Sequence, residues 1–479
     1  MSDQLSEIAG NITAMSQNDS RVPIPVIIIL LSFLCPTEFS LDIAGLRLPP
    51  HRVALLLLLP LALTRMVLSR QTRIRSFDIV FILYGISAIA SYTYHAAQAG
   101  FIYGGSLALE AVGGYFIARA FVRNTEQLRA TMRIFIVAIV IAALFALPET
   151  LLGHLFTHDF LHKLTGYHHP VGVQTRLGLT RAYGTFDHPI HYGTFCAALL
   201  AMFWFVERRA VKRRINATIM TAATFLGLSS APMLCLGLQG GMLAWDRFTR
   251  TVRNRVALTL MAIAGLYLAM SLVSNRTPFA IIATGMTLDP WTGFYRLMIW
   301  DYGLDNIWQH PWIGIGLGEW SRPWWMISDT IDAFWLVTAV RQGIPSFLLL
   351  ALAIGLLAYD VVKRSRRHAD PVVPRIAMGW MMSLIALCLV GATVHYWNVL
   401  HSYFFFFIGL GAWMADPARS ALVSFAKAEG RAPARRTDRK KAGPIPLNWP
   451  EPDYGRPYGH PGLAQAPAIP YGRPYRVAN

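Results

Sequence analysis

Charge is scarce in this chain of 479 residues: 14% of them are charged against 54% hydrophobic, and the mean hydropathy is +0.41. That balance excludes an ordinary soluble enzyme and fits a polytopic membrane protein. Cysteine is scarcer still, with four residues in all. Cys35, Cys196, Cys235 and Cys388 lie within or beside apolar runs and form no CxxC pair, which argues against a disulfide framework or a zinc knuckle. The first 20 residues are polar, carry Asp3, Glu7 and Asp19, and lack the charged-then-apolar pattern of a signal peptide. Residues 1–21 are therefore read as a cytoplasmic segment and the first apolar run as an uncleaved anchor.

What the chain has in quantity is apolar runs of bilayer length. They fall at about 22–41, 52–68, 77–95, 101–118, 134–152, 189–206, 216–230, 231–246, 257–274, 334–359, 376–394 and 397–415. The reading is an all-α polytopic membrane protein of about twelve transmembrane helices, with a membrane domain over 22–415. Residues 216–246 divide into two short spans turning near Ser229, Ser230, Ala231 and Pro232.

Lys and Arg accumulate in short cytoplasmic loops, and here every basic cluster follows an even-numbered span. Arg70, Arg73 and Arg75 follow the second, Arg119, Arg123, Arg129 and Arg133 the fourth, and Arg208, Arg209, Lys212, Arg213 and Arg214 the sixth. The pattern continues with Arg247 to Arg255 after the eighth and Lys363 to Arg367 after the tenth. Both termini are then cytoplasmic, and the two longest loops, 153–188 and 275–333, are extracytoplasmic, the second and larger between spans nine and ten. The net charge of +17 is a topology signal facing anionic lipid rather than a nucleic-acid footprint. The tail, 416–479, turns to Pro, Gly, Arg and Ala, repeats YGRPY at 454–458 and 471–475, and is expected to be disordered.

The outer loops carry the chemistry. In 275–333, Trp291, Phe294, Tyr295, Met298, Trp300, Tyr302 and Trp308 alternate with Arg296, Asp301 and Asp305, an amphipathic stretch suited to the membrane interface. Gly314, Gly316 and Gly318 form GxGxG without the strand, helix and Lys or acid of a nucleotide loop. They are expected to allow a tight backbone path instead. His154, His158 and His162 are spaced to share one helical face, though three convergent metal ligands are not evident. Glu110, inside the fourth span, is an intramembrane acid that marks either a functional cavity or an interhelical hydrogen bond.

The order of these features resembles the O-antigen ligase and polysaccharide polymerase superfamily, in its exopolysaccharide-polymerase branch. The motifs that carry the resemblance are Arg181, Gly184, Thr185, Phe186 and Pro189; then Arg296 with Trp300, His310, Pro311, Gly314, Gly316 and Gly318; then Asp332, Ala333, Trp335, Leu336 and Gly343. They cover roughly 170–345. Two positions depart: Asp332 stands where the ligases carry histidine, and Ser229 to Pro232 where they commonly carry Ser-Arg. The resemblance implies polymerisation of undecaprenyl-pyrophosphate-linked oligosaccharide units into an exopolysaccharide on the outer face of a bacterial inner membrane. The alternatives are a ligase passing glycan to another acceptor and a non-enzymatic transporter or flippase, although no internal repeat of the transporter kind is found.

Such chemistry displaces a pyrophosphate from an anomeric carbon, and guanidinium groups stabilise the leaving charge. Arg181 and Arg296 are the first candidates, followed by Arg176, Arg322 and Arg341. Asp332 would accept a proton or orient the acceptor hydroxyl, with His188 and His310 as rivals beside His191; its other reading is a cap on the tenth span. No DxD motif occurs in the outer loops, so metal-independent transfer without a cofactor is expected. The implied partners are the lipid-linked oligosaccharide, membrane lipids, and the flippase and chain-length or export proteins of a polysaccharide pathway.

Overall fold

The computed structural model describes residues 22–416, apart from 44–45, 70–71, 168–171, 276, 278–279, 282–283, 285–289, 327 and 369. The N-terminal segment 1–21 and the tail beyond Asp416 lie outside the described residues. The architecture is mostly helical, as long apolar runs must be where no water can satisfy their backbone. The helices are α1 (Ile24–Leu34), α2 (Pro50–Leu68), α3 (Ser76–Ala108), α4 (Gly114–Phe121), α5 (Thr125–Leu152), α6 (Phe156–Thr165), α7 (Pro189–Ala197) and α8 (Leu200–Val206). They continue with α9 (Ala210–Leu226), α10 (Ser230–Thr249), α11 (Arg255–Val273), α12 (Pro290–Gln309), α13 (Phe334–Ser365), α14 (Val373–Val390) and α15 (Asn398–Gly411). Two small antiparallel hairpins, β1 (Leu41–Ile43) with β2 (Leu46–Leu48) and β3 (Thr175–Arg176) with β4 (Leu179–Thr180), lie between helices.

Among the described residues, seven helical runs are long and apolar enough to cross a membrane, against the twelve expected. The difference has two physical sources. First, the 46-residue run Ser76–Phe121 is a hairpin rather than one rod. Ala96 and Ala97 leave helical geometry, and beyond them Gly100 and Gly104 lie directly on the backbone of Tyr92 and Ala88. A Cβ on Gly100 would fall 1.9 Å from the Tyr92 carbonyl oxygen, so only glycine lets the arms meet. Second, α1, α9, α10 and α11 coincide with expected runs but are shorter or more polar. The expected turn at Ser229–Pro232 is seen as the break between α9 and α10.

Hydrogen bonds sort the loops into two ends of the bundle. At one, Arg119 binds Asp78 at 3.4 Å and also Asp416, and donates to the Arg73 carbonyl; Arg123 reaches Ser69 at 3.1 Å and Arg208 reaches Glu126 at 3.5 Å. At the other, Thr37 and Asn398 both donate to Asp187, Ser91 donates to the Ile313 carbonyl, and Trp300 to that of Ala392. The first end gathers basic residues that follow the second, fourth and sixth runs. The second gathers the described residues of 37–49, 149–188, 312–332 and 391–398, which with Arg52 and Arg296 hold the candidate site.

The core is aromatic. Phe404, Phe405, Phe406 and Phe407 of α15 are buried, and Gly114 and Gly409 bring α4 and α15 into backbone contact, the small-residue packing that favours helix association where lipid offers no hydrophobic contrast.

Candidate functional site

The motif RAYGTFDHP reaches its position through an acid not singled out in the sequence. Glu149, buried near the end of α5, accepts the backbone N–H groups of Tyr183 at 3.0 Å and Gly184 at 2.8 Å. Gly184 has φ +57°, a conformation that glycine adopts without cost. Ala182 donates its N–H to the Leu226 carbonyl at 3.1 Å, fixing the motif to the α9–α10 break. His188 then caps α7, its Nδ1 accepting the Ile190 N–H at 3.1 Å.

Three of the five arginines named from sequence converge. Arg181 and Arg296 are only 5% and 7% exposed, and the Nε of each has no hydrogen-bond partner among the described residues. Burial, then Arg176, pulls the Arg181 guanidinium down to about 10, with Arg296 adding to it. Burial also lowers Arg296, partly offset by Asp332 and reinforced by Arg176. Repulsion between two desolvated cations, Arg181 and Arg296, to which half-buried Arg176 adds, is what an anion would relieve. Arg181 therefore stays charged at neutral pH.

Asp332 faces Arg296 of this cluster. Burial raises its carboxyl above the ordinary carboxylate value and Arg296 pulls it back. The capping reading of Asp332 is corrected: the N-cap of α13 is Ala333 and no side chain caps it. The Phe334 N–H goes instead to the Gly391 and Val394 carbonyls at 2.8 and 3.0 Å. Asp332 is thus released from a helix-end role and lines a chamber of 270 Å3 together with Arg52, Tyr103, Glu110, His395 and Trp397. Burial, then His401 and Arg341, hold His395 down at about 3, so its imidazole is neutral.

Glu110, conspicuous in the sequence, resolves into a hub. It sits in a single π-helical turn, Leu109–Gly113, a distortion common at functional positions. Its carboxylate takes Arg52 Nε at 2.7 Å, His51 at 3.3 Å and His401 at 3.1 Å, joining α2, the π-helical turn and α15 at the wall of the chamber. A second chamber of 340 Å3 adjoins the first and shares Arg52, Trp397 and Asn398 with it. His188 and His191 pack on Trp397 with ring centroids 5.7 and 3.8 Å away, which places His188 beside the chambers without lining either.

The remaining candidates are not brought to this cluster. His310 is exposed at the end of α12, its backbone bonded to Asn306 and Gly314. Arg322 donates to the Met326 carbonyl at 3.3 Å. Arg341 donates to the Gly316 carbonyl at 2.9 Å and clamps the glycine loop onto α13, in line with the tight path expected of GxGxG, where Gly314 and Gly316 have φ +67° and +57°. His154 precedes α6, so the three histidines do not share one helical face, and His158 is committed to Glu38. A larger cavity of 1270 Å3 between α10, α11 and α14 is walled by Met233, Met242, Met381 and Ile385 and offers no comparable cluster of catalytic groups. Sequence reasoning missed Arg52, Asp187, His395, Trp397 and Asn398. Asp187 alone had a signal, since it lies inside the first motif. A scan of protein-family models and a search of curated proteins find nothing that matches this chain.

Proposed function

We propose that this protein is a membrane glycosyltransferase that polymerises lipid-linked oligosaccharide units. The observation that carries the reading is a group of three arginines, Arg181 lying within electrostatic reach of Arg176 and Arg296, in which buried Arg296 is set against the Asp332 carboxyl. In the reaction, an acceptor sugar hydroxyl attacks the anomeric carbon of the donor; the new C–O bond forms as the bond to the pyrophosphate oxygen breaks. The hydroxyl proton passes to the Asp332 carboxylate, whose raised affinity for a proton suits a base. The departing pyrophosphate gathers charge facing Arg181 and Arg296, whose desolvation strengthens the attraction. The chain's own residues therefore supply proton transfer and charge stabilisation, and the activated lipid supplies the driving force.

The twelve-span layout with cytoplasmic termini belongs to the same proposal, in an inner membrane and alongside the flippase and export proteins of a polysaccharide pathway. It rests on the positive-inside distribution and on the segregation of loop contacts to two ends. Ligase activity is the nearest variant of the chemistry. An ion-coupled transporter is the second reading, favoured by the buried Glu110 hub, of a kind that proton relays also use. The deciding experiment reconstitutes the protein with lipid-linked repeat units. Arg181→Lys and Arg296→Lys keep charge and lose the planar fork, so both should insert normally and lose most polymer. Wild-type polymer from both would remove the arginines from the mechanism, and substrate translocation without polymer would favour the transporter.

A further inference from the structure

The second chamber is not used by the chemistry above, and its wall is unlike that of the arginine cluster. Its 340 Å3 is within the range of small-molecule sites. Two arginines, Arg47 and Arg52, face one acid, Asp187, with Asn398, Tyr167 and the indole of Trp397 completing the wall. The polar groups are tied to one another: Thr37 donates to Asp187 Oδ1 at 2.5 Å, Asn398 Nδ2 to Asp187 Oδ2 at 3.0 Å, Arg52 to Asn398 Oδ1 at 3.4 Å, and Arg47 to the Tyr167 hydroxyl. Asn398 holds φ +49° at the first residue of α15. Strain of that kind persists where surrounding structure imposes it and gathers at binding sites.

We propose that this chamber is a subsite for a neutral hexopyranose, the acceptor end of the glycan; the acceptor role rests on the polymerase reading, the sugar site does not. A carboxylate inside the wall disfavours a phosphate or a second pyrophosphate, while an acid beside Asn and Arg donors matches vicinal hydroxyls that both give and accept hydrogen bonds. The Trp397 indole, in ring contact with His191 at a centroid distance of 3.8 Å, offers an aromatic surface that matches the apolar C–H face of a pyranose. Because Arg52, Trp397 and Asn398 line both chambers, a sugar seated here has its outward hydroxyl directed toward the space that Asp332 lines.

The test is direct binding, without turnover. Methyl glucoside, methyl galactoside and methyl mannoside are titrated into the detergent-purified full chain by saturation-transfer NMR, with inorganic phosphate as the competing probe. At least one hexoside should bind, at least tenfold more weakly to Asp187→Asn and Trp397→Ala, and with unchanged affinity to Arg296→Lys. Trp397→Phe retains an aromatic face and should keep binding within a few-fold, which controls for misfolding together with the melting temperature of each variant. Absence of hexoside binding, binding unaffected in Asp187→Asn, or phosphate displacing the hexoside overturns the proposal. Polymer from a protein that binds no hexoside would leave the glycosyltransferase reading standing and remove the subsite; hexoside binding without polymer would do the reverse.

Discussion

Replacing Asp332 by Asn separates chemistry from architecture in a single atom pair. The carboxyl is raised by burial and lowered by Arg296, so in net the folded state binds its proton more tightly than the unfolded chain. A group with that sign removes stability as pH rises through the interval between its unfolded and folded values, and the penalty is complete above the folded one. A tenfold difference in proton affinity between the two states corresponds to about 1.4 kcal/mol. Asn carries no such penalty, and no cap is lost because Ala333, not Asp332, is the N-cap. The melting temperature at pH 7 should therefore hold or rise. Activity should fall by about 10²- to 10⁴-fold, the range for losing a positioned base. The assay is polymer formation in proteoliposomes with lipid-linked repeat units, beside a thermal melt of the same preparation. Polymer near the wild-type rate would refute the role of Asp332, and a large drop in melting temperature would refute the energetic reasoning.

Polymer synthesis should lose activity on the acid side as Asp332 protonates, at a pH above the ordinary carboxylate value; Arg296→Gln removes the cation that lowers Asp332 and should move that limb to higher pH in whatever activity remains. Glu110→Gln strips the charge partner from half-buried Arg52, whose side chain is 18% exposed, and should destabilise by less than the roughly 3–5 kcal/mol of a fully buried pair, read as a lower denaturation midpoint, whereas pairing it with Arg52→Met should recover part of the loss. Gly343→Ala forces a side chain into φ +84° with a Cβ 2.4 Å from the Trp312 carbonyl oxygen; a cost of about 1–3 kcal/mol from the backbone alone should appear as a lower melting temperature. In a cysteine-free background, membrane-impermeant labelling should reach a cysteine at Gly166 or Ser328 from outside and one at Lys212 only after permeabilisation; the opposite pattern would invert the layout.

The sequence made helix positions legible because hydrophobic run length is a direct consequence of the backbone's need for internal hydrogen bonds. It also exposed Arg181, Arg296 and Asp332, polar residues among glycines and aromatics at loop positions. It could not tell a 46-residue hairpin from two separate helices, since the fold-back depends on Gly100 and Gly104 meeting Tyr92 and Ala88 in space. Glu149 was hidden at the end of an apolar run, and its use as an acceptor for the motif backbone is tertiary. Arg52, Trp397 and Asn398 were invisible for a related reason: they flank the starts of α2 and α15, far apart in the chain, and acquire meaning only where those helices converge. His310 and Arg322 shared the composition of the site residues but not their direction.

α13 is broken at Gly343, whose backbone leaves helical geometry, and the break has a mechanical corollary. Pro345 has no N–H, so the Arg341 carbonyl loses its helical donor and takes the Gly316 N–H at 2.9 Å; the Val340 carbonyl takes Ile315 at 3.0 Å, and the Ile344 N–H goes to Pro311 at 2.8 Å. The loop behind α12 is thereby spliced into the helix as its missing rungs. Lifting it would strand these backbone groups in a poorly hydrated interior, at several kcal/mol each. The segment is a fixed wall rather than a lid.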